Sequence, residues 1–289
     1  MARDYGEVFR ELREAKNITL DDLDGGEVSP KQLARFENGQ SDLSAKKLFR
    51  ALKMINVSIE EFLVMAKDYA DNTIEELFLK LAKNHYEANL PLLHSYLKKE
   101  LSLTKKEKWR YLNVIMISIS IHNWDKNFKI PNFNQKHVAD YLLSLKIYGY
   151  YELVIFMFLA DILNIDIMCM LVKKIIARKD LYCSISKNKQ ILIKALLNIA
   201  MVCIMKDHLK NAFNFLHEIS LLLEEEFLHE RNIFLYVQGF YCLKVGKRDE
   251  GFEKMMAAIG IWEQLGAKNI AKKHREFFFE QYYRKNDDE

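Results

Sequence analysis

Helix starts recur along this chain, and few breakers interrupt the segments that come after them. The pattern Ser/Thr-x-x-Glu/Gln lets an N-cap hydroxyl and the side chain three positions on satisfy each other's backbone amides. It occurs at Ser29–Gln32, Ser58–Glu61, Thr73–Glu76 and Thr104–Glu107, each time ahead of apolar residues at helical spacing. Only 3 prolines and 10 glycines occur in 289 residues, too few for the turns of a β-rich protein. Half the residues are hydrophobic, enough for a large core, and Leu, Ile, Lys, Glu, Met and Ala favour helices. The expected fold is all-α, with length for about two domains.

Residues 4–66 parse as five short helices, at about 4–16, 19–24, 29–37, 44–54 and 58–66. In the third, Pro30 takes the first helical position, where its missing N–H costs nothing. Gly39 suits a left-handed C-cap, and "DGG" at 24–26 separates the second helix from the third. From residue 68 the helices lengthen: 73–89, 91–101, 104–121, 134–147, 150–162, 165–178, 187–205, 208–226, 229–244, 248–265 and 267–285. The clearest interior loop is "NWDKNFKIPNFN" at 123–134. The domains expected are therefore 1–66 and 67–289.

A loose internal repeat runs at an offset of 39 residues. Ala200 aligns with Gly239, Cys203 with Cys242, Ile204 with Leu243, Ala212 with Gly251 and Phe213 with Phe252. Small residues recur where two helices of a hairpin must approach, and an aromatic recurs where the next hairpin packs. That is the logic of a tetratricopeptide-like helical repeat.

Several function classes lose their support. No GxGxxG, Walker A, GxSxG or HExxH is present, so no enzymatic activity is expected. Cys169, Cys183, Cys203 and Cys242 form no CxxC pair and no Cys/His ligand spacing, so no metal or other cofactor is expected. No secretory signal precedes the first helix, and a reduced, cytoplasmic protein is the plain reading. The apolar stretch 153–172 is interrupted by Asp161, Asn164 and Asp166. Each aspartate would cost about 2.5–3.5 kcal/mol at a bilayer centre, so the stretch reads as buried core.

The segment "SPKQLARFENG" (29–39) carries the functional information. Two helices joined by a tight turn, the second with a polar basic face, make a helix-turn-helix, whose second helix enters the major groove. Helix 19–24 would be the first and 29–37 the second, over a core of Leu20, Leu23, Leu33, Phe36, Leu48 and Leu52. Lys31 and Arg35 share the outward face with Ala34 and Asn38. Arg forks onto guanine O6/N7, and Lys reaches guanine or phosphate. Ser29, at the helix start, is placed to bond a phosphate. Gln32 is divided between base reading and its capping role. Residues 1–66 hold ten basic and twelve acidic residues, an unusual net of −2 for such a module. The acids cluster at Asp21, Asp22, Asp24 and Glu27, whereas Lys46, Lys47, Arg50 and Lys53 come after the recognition helix.

"FRELREAKNITLDDL" followed by "SPKQLARFENGQSDLSAKKLFRALKMINVSIEEFL" resembles the helix-turn-helix of the lambda-repressor/Cro superfamily, over about residues 5–65. The resemblance implies a structural ion pair between Arg13 and Glu37. It also implies a phosphate contact at Ser29 and base contacts at Lys31, Gln32 and Arg35. The connection around "LDGGEVS" departs from the pattern and looks one residue shorter. Such a domain on an all-helical remainder resembles the Rgg/GadR/MutR regulators of Gram-positive bacteria. "YGYYELVIF" (148–156) is similar to a segment of that family's second domain. This resemblance implies a homodimeric transcription regulator on a pseudo-palindromic DNA operator, whose helical-repeat domain binds short, often hydrophobic signalling peptides. A cysteine that links some relatives through the DNA-binding domain has no counterpart before Cys169.

A peptide groove needs side chains that both donate to and accept from a backbone, as asparagine does. Asn198, Asn232, Tyr236 and Tyr150 are the ligand contacts expected, each equally able to serve as an inter-helix hydrogen bond. The aromatic "EFFFEQYYR" (276–284) reads as a capping helix or as a dimer contact. Two rival functions remain open: a helical-repeat scaffold for protein–protein contact, and a ligand-independent repressor.

Overall fold

A computed structural model describes residues 3–24, 28–66, 74–87, 89–102, 108–131, 134–181 and 183–283. Among these, the regular structure is helical throughout. Thr73, Thr104, Glu107, both glycines of "DGG" and Arg284 lie outside the described residues. The chain divides into two compact units, Met1–Glu76 and Leu77–Glu289.

The first unit contains α1 (Tyr5–Ala15), a 3-10 turn (Asp21–Leu23), α2 (Pro30–Glu37), α3 (Ala45–Met54) and α4 (Ile59–Met65). The helix expected at 19–24 is thus corrected to one 3-10 turn. Thr19 and Asp22 start it reciprocally: the Thr19 hydroxyl donates to Asp22 Oδ2 at 2.6 Å, and Asp22 N–H donates back at 3.2 Å. Asp24 is already extended, so the helix has no length in which to grow. Ser58 and Glu61 make the full capping box. At Ser29 only half of one forms. Its hydroxyl accepts from Gln32 N–H at 3.3 Å, while the Gln32 side chain accepts from Lys47 Nζ at 3.2 Å instead.

Three of these helices end through a left-handed residue: Asn17 (φ 56°), Gly39 (φ 65°) and Asn56 (φ 51°). The next amide after each reaches back to close the last turn, as Gln40 N–H does to the Arg35 carbonyl at 2.8 Å. Leu23, Leu33, Phe36 and Leu52 are buried with Val8, Phe9 and Phe62, while Leu20 and Leu48 pack at the margin. A Cβ on Gly6 would lie 1.9 Å from the Phe36 carbonyl oxygen. The start of α1 therefore crosses the end of α2 with no side chain between them.

The second unit contains α5 (Ile74–Glu87) from Leu77 on, α6 (Leu90–Ser102), α7 (Lys108–Trp124), α8 (Gln135–Ser144), α9 (Tyr150–Phe158), α10 (Ile165–Ile176), α11 (Ser186–Met205), α12 (Leu209–Leu222), α13 (Leu228–Lys244), α14 (Arg248–Gln264) and α15 (Lys268–Tyr283). α7, α9, α11 and α13 pack in succession as one row. α6 packs on α7, α12 on α11 and α14 on α13, while α8 lies against α10, so the unit is a stack of helical hairpins.

The 39-residue offset maps α11–α12 onto α13–α14. Ala200 and Ala212 are fully buried. A Cβ on Gly251 would sit 2.8 Å from the Gly239 carbonyl, and one on Gly239 would sit 2.9 Å from the Gly251 carbonyl. The hairpin turns also repeat, with left-handed Asp207 (φ 57°) in one and Gly246 (φ 89°) in the other. Phe213 reaches Tyr241 on α13 at 6.2 Å between ring centres, and Phe252 reaches Phe278 on α15 at 5.6 Å.

Two long segments break for visible reasons. The helix expected at 134–147 stops at Ser144 because the buried Tyr148 hydroxyl donates to the Leu142 carbonyl at 2.8 Å. Glu152 then starts α9 by accepting from Gly149 N–H at 2.9 Å. The apolar stretch 153–172 is not one helix. α9 passes into a 3-10 turn at Leu159–Asp161, and Asn164 caps α10 by accepting from Asp166 N–H at 2.8 Å. Among the described residues one helix, α11, is long and apolar enough to cross a membrane, and two-thirds of its most apolar window is buried within the protein.

The aromatic α15 lies on the last hairpin of its own chain. Phe278 is fully buried, Phe277 meets Phe240 at 5.2 Å, and Phe279 and Tyr283 stack at 5.9 Å with much of their surface exposed. His274 fits between Tyr236 (4.7 Å) and Trp262 (4.3 Å), and burial pushes its imidazole down to about 4.

The tight contact of α13 with α14 is open to substitution. Gly251→Ala forces a methyl against backbone and should cost about 1–3 kcal/mol in urea unfolding. Gly260→Ala, with open space around it, should instead stabilise α14 by up to ~1 kcal/mol. The packing of His274 makes stability depend on pH. Because its imidazole is held below its ordinary pKa, the unfolded chain takes up the proton first. Stability should fall as pH drops from about 6.5 toward 4. His274→Leu should flatten that part of the melting-temperature profile.

Candidate nucleic-acid interface and ligand cavity

In α2 the apolar and polar positions separate as helical spacing requires. Leu33, Phe36 and Glu37 are buried, whereas Lys31, Gln32 and Arg35 are exposed, as is Ser29 at the cap. Pro30 and the Ser29 cap set where the helix begins, with Lys31 exposed in its first turn. Lys47, from α3, joins this surface through Gln32. That contact takes up the Gln32 carbonyl oxygen and leaves its amide N–H groups to the surface.

The other side of α2 is fastened to α1. Arg13 Nε lies 2.7 Å from Glu37 Oε1, and its Nη2 lies 2.8 Å from Oε2, a bidentate pair with both side chains almost wholly buried. A third donor of Arg13 reaches the Ile18 carbonyl at 2.6 Å and ties in the chain after α1. The hydrogen bond to Glu37 holds the guanidinium above its ordinary pKa.

Arg10 adds a layer that sequence reasoning missed. It donates to the Glu37 carbonyl and to Asn38 Oδ1, both at 2.5 Å. Asn38, expected to face DNA, is exposed. It is the C-cap of α2, and its carboxamide oxygen is drawn back to α1. The contact spans 28 residues, and no local pattern announces it.

The second unit holds a cavity of about 220 Å³. Its walls come from the row of stacked helices and from α5: Phe78, Leu81 and Asn84 from α5, Ile119 and Trp124 from α7, and Met157 and Phe158 from α9. Lys194, Leu197 and Asn198 of α11 and His229 and Ile233 of α13 complete it. The surface is mostly apolar with a few polar groups, the usual make-up of a ligand site.

Of the expected ligand residues, Asn198 lines this cavity and is exposed. Tyr150 stands one layer behind, with its ring 6.4 Å from that of Phe78 and under the Lys187 ammonium. Asn232 and Tyr236 lie outside the cavity lining. Asn232 is buried and donates to the Ala258 carbonyl at 3.0 Å, and Tyr236 is fully buried with its hydroxyl on the His274 carbonyl at 2.7 Å. Both bind helices together, because α13 turns that face toward α14 and α15. Asn84, Trp124, Lys194 and His229 were missed, since they come together only when five helices stack.

Arg13→Met should destabilise the first unit by roughly 3 kcal/mol, because it leaves Glu37 buried without its partner. The double change Arg13→Met/Glu37→Met should recover part of that loss in thermal unfolding.

Residues 92–276 match the family described as HTH-type transcriptional regulator Rgg, C-terminal domain, and residues 9–62 match a helix-turn-helix family. The HTH-type transcriptional repressor RghR of Bacillus subtilis (strain 168) is 33% identical over 117 residues, covering 38% of this chain and 79% of that protein. Three solved structures share the fold. The SHP pheromone receptor Rgg2 of Streptococcus dysgalactiae has a TM-score of 0.77 at 23% identity, covering 96% of this chain and 99% of that one. A transcriptional regulator from Listeria monocytogenes EGD-e has a TM-score of 0.82 at 18% identity, covering 99% of both chains. The PrgX/cCF10 complex has a TM-score of 0.67 at 16% identity, covering 97% of this chain and 92% of that one. The Rgg match spans well over half of the chain, and the fold, the fastened α2 and the matched helix-turn-helix agree with it: the protein belongs to the Rgg family of helix-turn-helix transcriptional regulators.

Proposed function

We propose that this chain is a cytoplasmic, homodimeric regulator that binds a pseudo-palindromic DNA operator and whose second unit senses a short signalling peptide. The observation that carries the DNA-binding half is α2 itself. One face is buried and clamped by Arg13, and the other exposes Ser29, Lys31, Gln32 and Arg35. A rigid helix with an outward basic face is what major-groove reading requires. Ser29 contacts a phosphate, Lys31 and Arg35 read bases, and Gln32 contributes its amide N–H groups. No catalytic role is assigned to any residue.

The sensing half is supported by the apolar cavity across five helices, with Asn198 at its surface, and by the proteins of the same fold described as a pheromone receptor and as a pheromone complex. Peptide shifts the population between two arrangements of the helical stack, and each favours a different placement of the paired recognition helices. Residues 1–66 carry a net charge of −2, so affinity rests on local basic contacts to phosphate, which makes binding strongly dependent on salt.

Selection of bound fragments from genomic DNA at moderate salt should enrich one pseudo-palindromic sequence. Arg35→Ala should then weaken binding to that sequence by about 1–3 kcal/mol in a gel-shift assay. Unchanged binding would rule out base reading by Arg35. No enriched sequence would favour a scaffold, and no heat on titration with short apolar peptides would favour a ligand-independent repressor.

A further inference from the structure

The cavity of the second unit has a charge asymmetry that the apolar description omits. Among the described residues no aspartate or glutamate lines it, and its one full charge is Lys194. Lys194 Nζ lies 3.2 Å from Glu230 Oε1, with side-chain exposures of 30% and 5%. Glu230 is not a lining residue. The carboxylate is buried outside the lining, while Lys194, one of the lining residues, is partly exposed, and an ammonium carries three N–H donors, more than one carboxylate oxygen takes up. Burying Glu230 without a partner would be costly, so the pair holds Lys194 in place.

Two more polar groups flank the ammonium. Asn198 is one helical turn on from Lys194 along α11, so the two share a face. His229 precedes Glu230 on α13 and also lines the cavity. Phe78, Leu81 and Ile119, from α5 and α7, line the same cavity. One ammonium, Lys194, thus shares the cavity lining with an imidazole, which burial favours in its neutral form, with a carboxamide, and with hydrocarbon side chains.

Building on the peptide-sensing function proposed above, we infer that Lys194, His229 and Asn198 form a carboxylate subsite. The ligand is an apolar peptide with one carboxylate, either its C-terminus or an Asp or Glu side chain, seated on Lys194 and His229. Asn198 bonds the adjoining amide, and the apolar side chains fill the α5–α7 wall. A charged partner in a partly enclosed site forms the stronger class of hydrogen bond, so a neutral analogue loses far more than one contact among many.

The test uses the full-length protein and a library of apolar octapeptides prepared in four forms. One pair differs only in a free against an amidated C-terminus, and the other only in one internal Asp against Asn. Complexes are isolated by gel filtration and the retained peptides counted by mass spectrometry. The wild type should retain the acid member of at least one pair about tenfold over its neutral partner, and the pair that discriminates identifies the source of the carboxylate. In Lys194→Met/Glu230→Gln, which removes both charges together, that preference should vanish while apolar peptides are still retained. His229→Gln should reduce it. Retention without acid preference in the wild type overturns the subsite and leaves peptide sensing standing. Retention of no peptide overturns both. The wild-type comparison decides the matter even if the double variant fails to fold.

Discussion

The buried pair of Arg13 and Glu37 is the contact on which the DNA-facing half of this protein depends. An isolated charge inside a small helical unit would be very costly, and two charges meeting bidentately are tolerable only at the right distance and angle. The pair therefore does more than attract. It permits one arrangement of α1 and α2, with both oxygens of Glu37 occupied at 2.7 and 2.8 Å, and penalises neighbouring ones. Gly6 acts in the same sense from the other end, since the crossing leaves no room even for a methyl group. Close backbone approach, a buried ion pair and the second fork from Arg10 hold α2 by one side, so Lys31 and Arg35 project from a rigid support.

The second unit obeys a different constraint. Its helices carry apolar residues on several faces, so their burial alone specifies little about which helix meets which. Specificity comes from where side chains are absent. Gly239 and Gly251 let α13 and α14 touch backbone to backbone, and Ala200 and Ala212 occupy the matching places in the preceding hairpin. Stacking such pairs builds a row of helices whose shared face encloses a cavity. No single hairpin contains that cavity, which is why its walls draw on α5, α7, α9, α11 and α13 at once.

These two modes of assembly explain which residues could be read in advance. Helix starts and stops depend on a few adjacent residues, so Ser58, Pro30 and Gly39 were legible as letters. The exception at Thr19 is instructive. Asp22 did the work reserved for Glu or Gln, and the element proved to be one 3-10 turn. Local reading also sorted α2 into buried Leu33 and Phe36 and exposed Lys31 and Arg35. It failed where a polar residue had two plausible partners. Asn232 and Tyr236 have the chemistry of ligand contacts, yet the Asn232 amide and the Tyr236 hydroxyl donate to the Ala258 and His274 carbonyls.

The amino-acid sequence by itself determined the helical class, the positions of most helix ends and the repeat at 39 residues. Each comes from local propensity, capping or short-period pattern, which a chain carries whatever its neighbours do. Only the tertiary structure decided that Asn38 accepts from Arg10, that Asn198 lines the cavity while Asn232 does not, and that Lys194 pairs with a buried Glu230. These are matters of which face of one helix meets another, and they are settled by close packing among residues tens of positions apart.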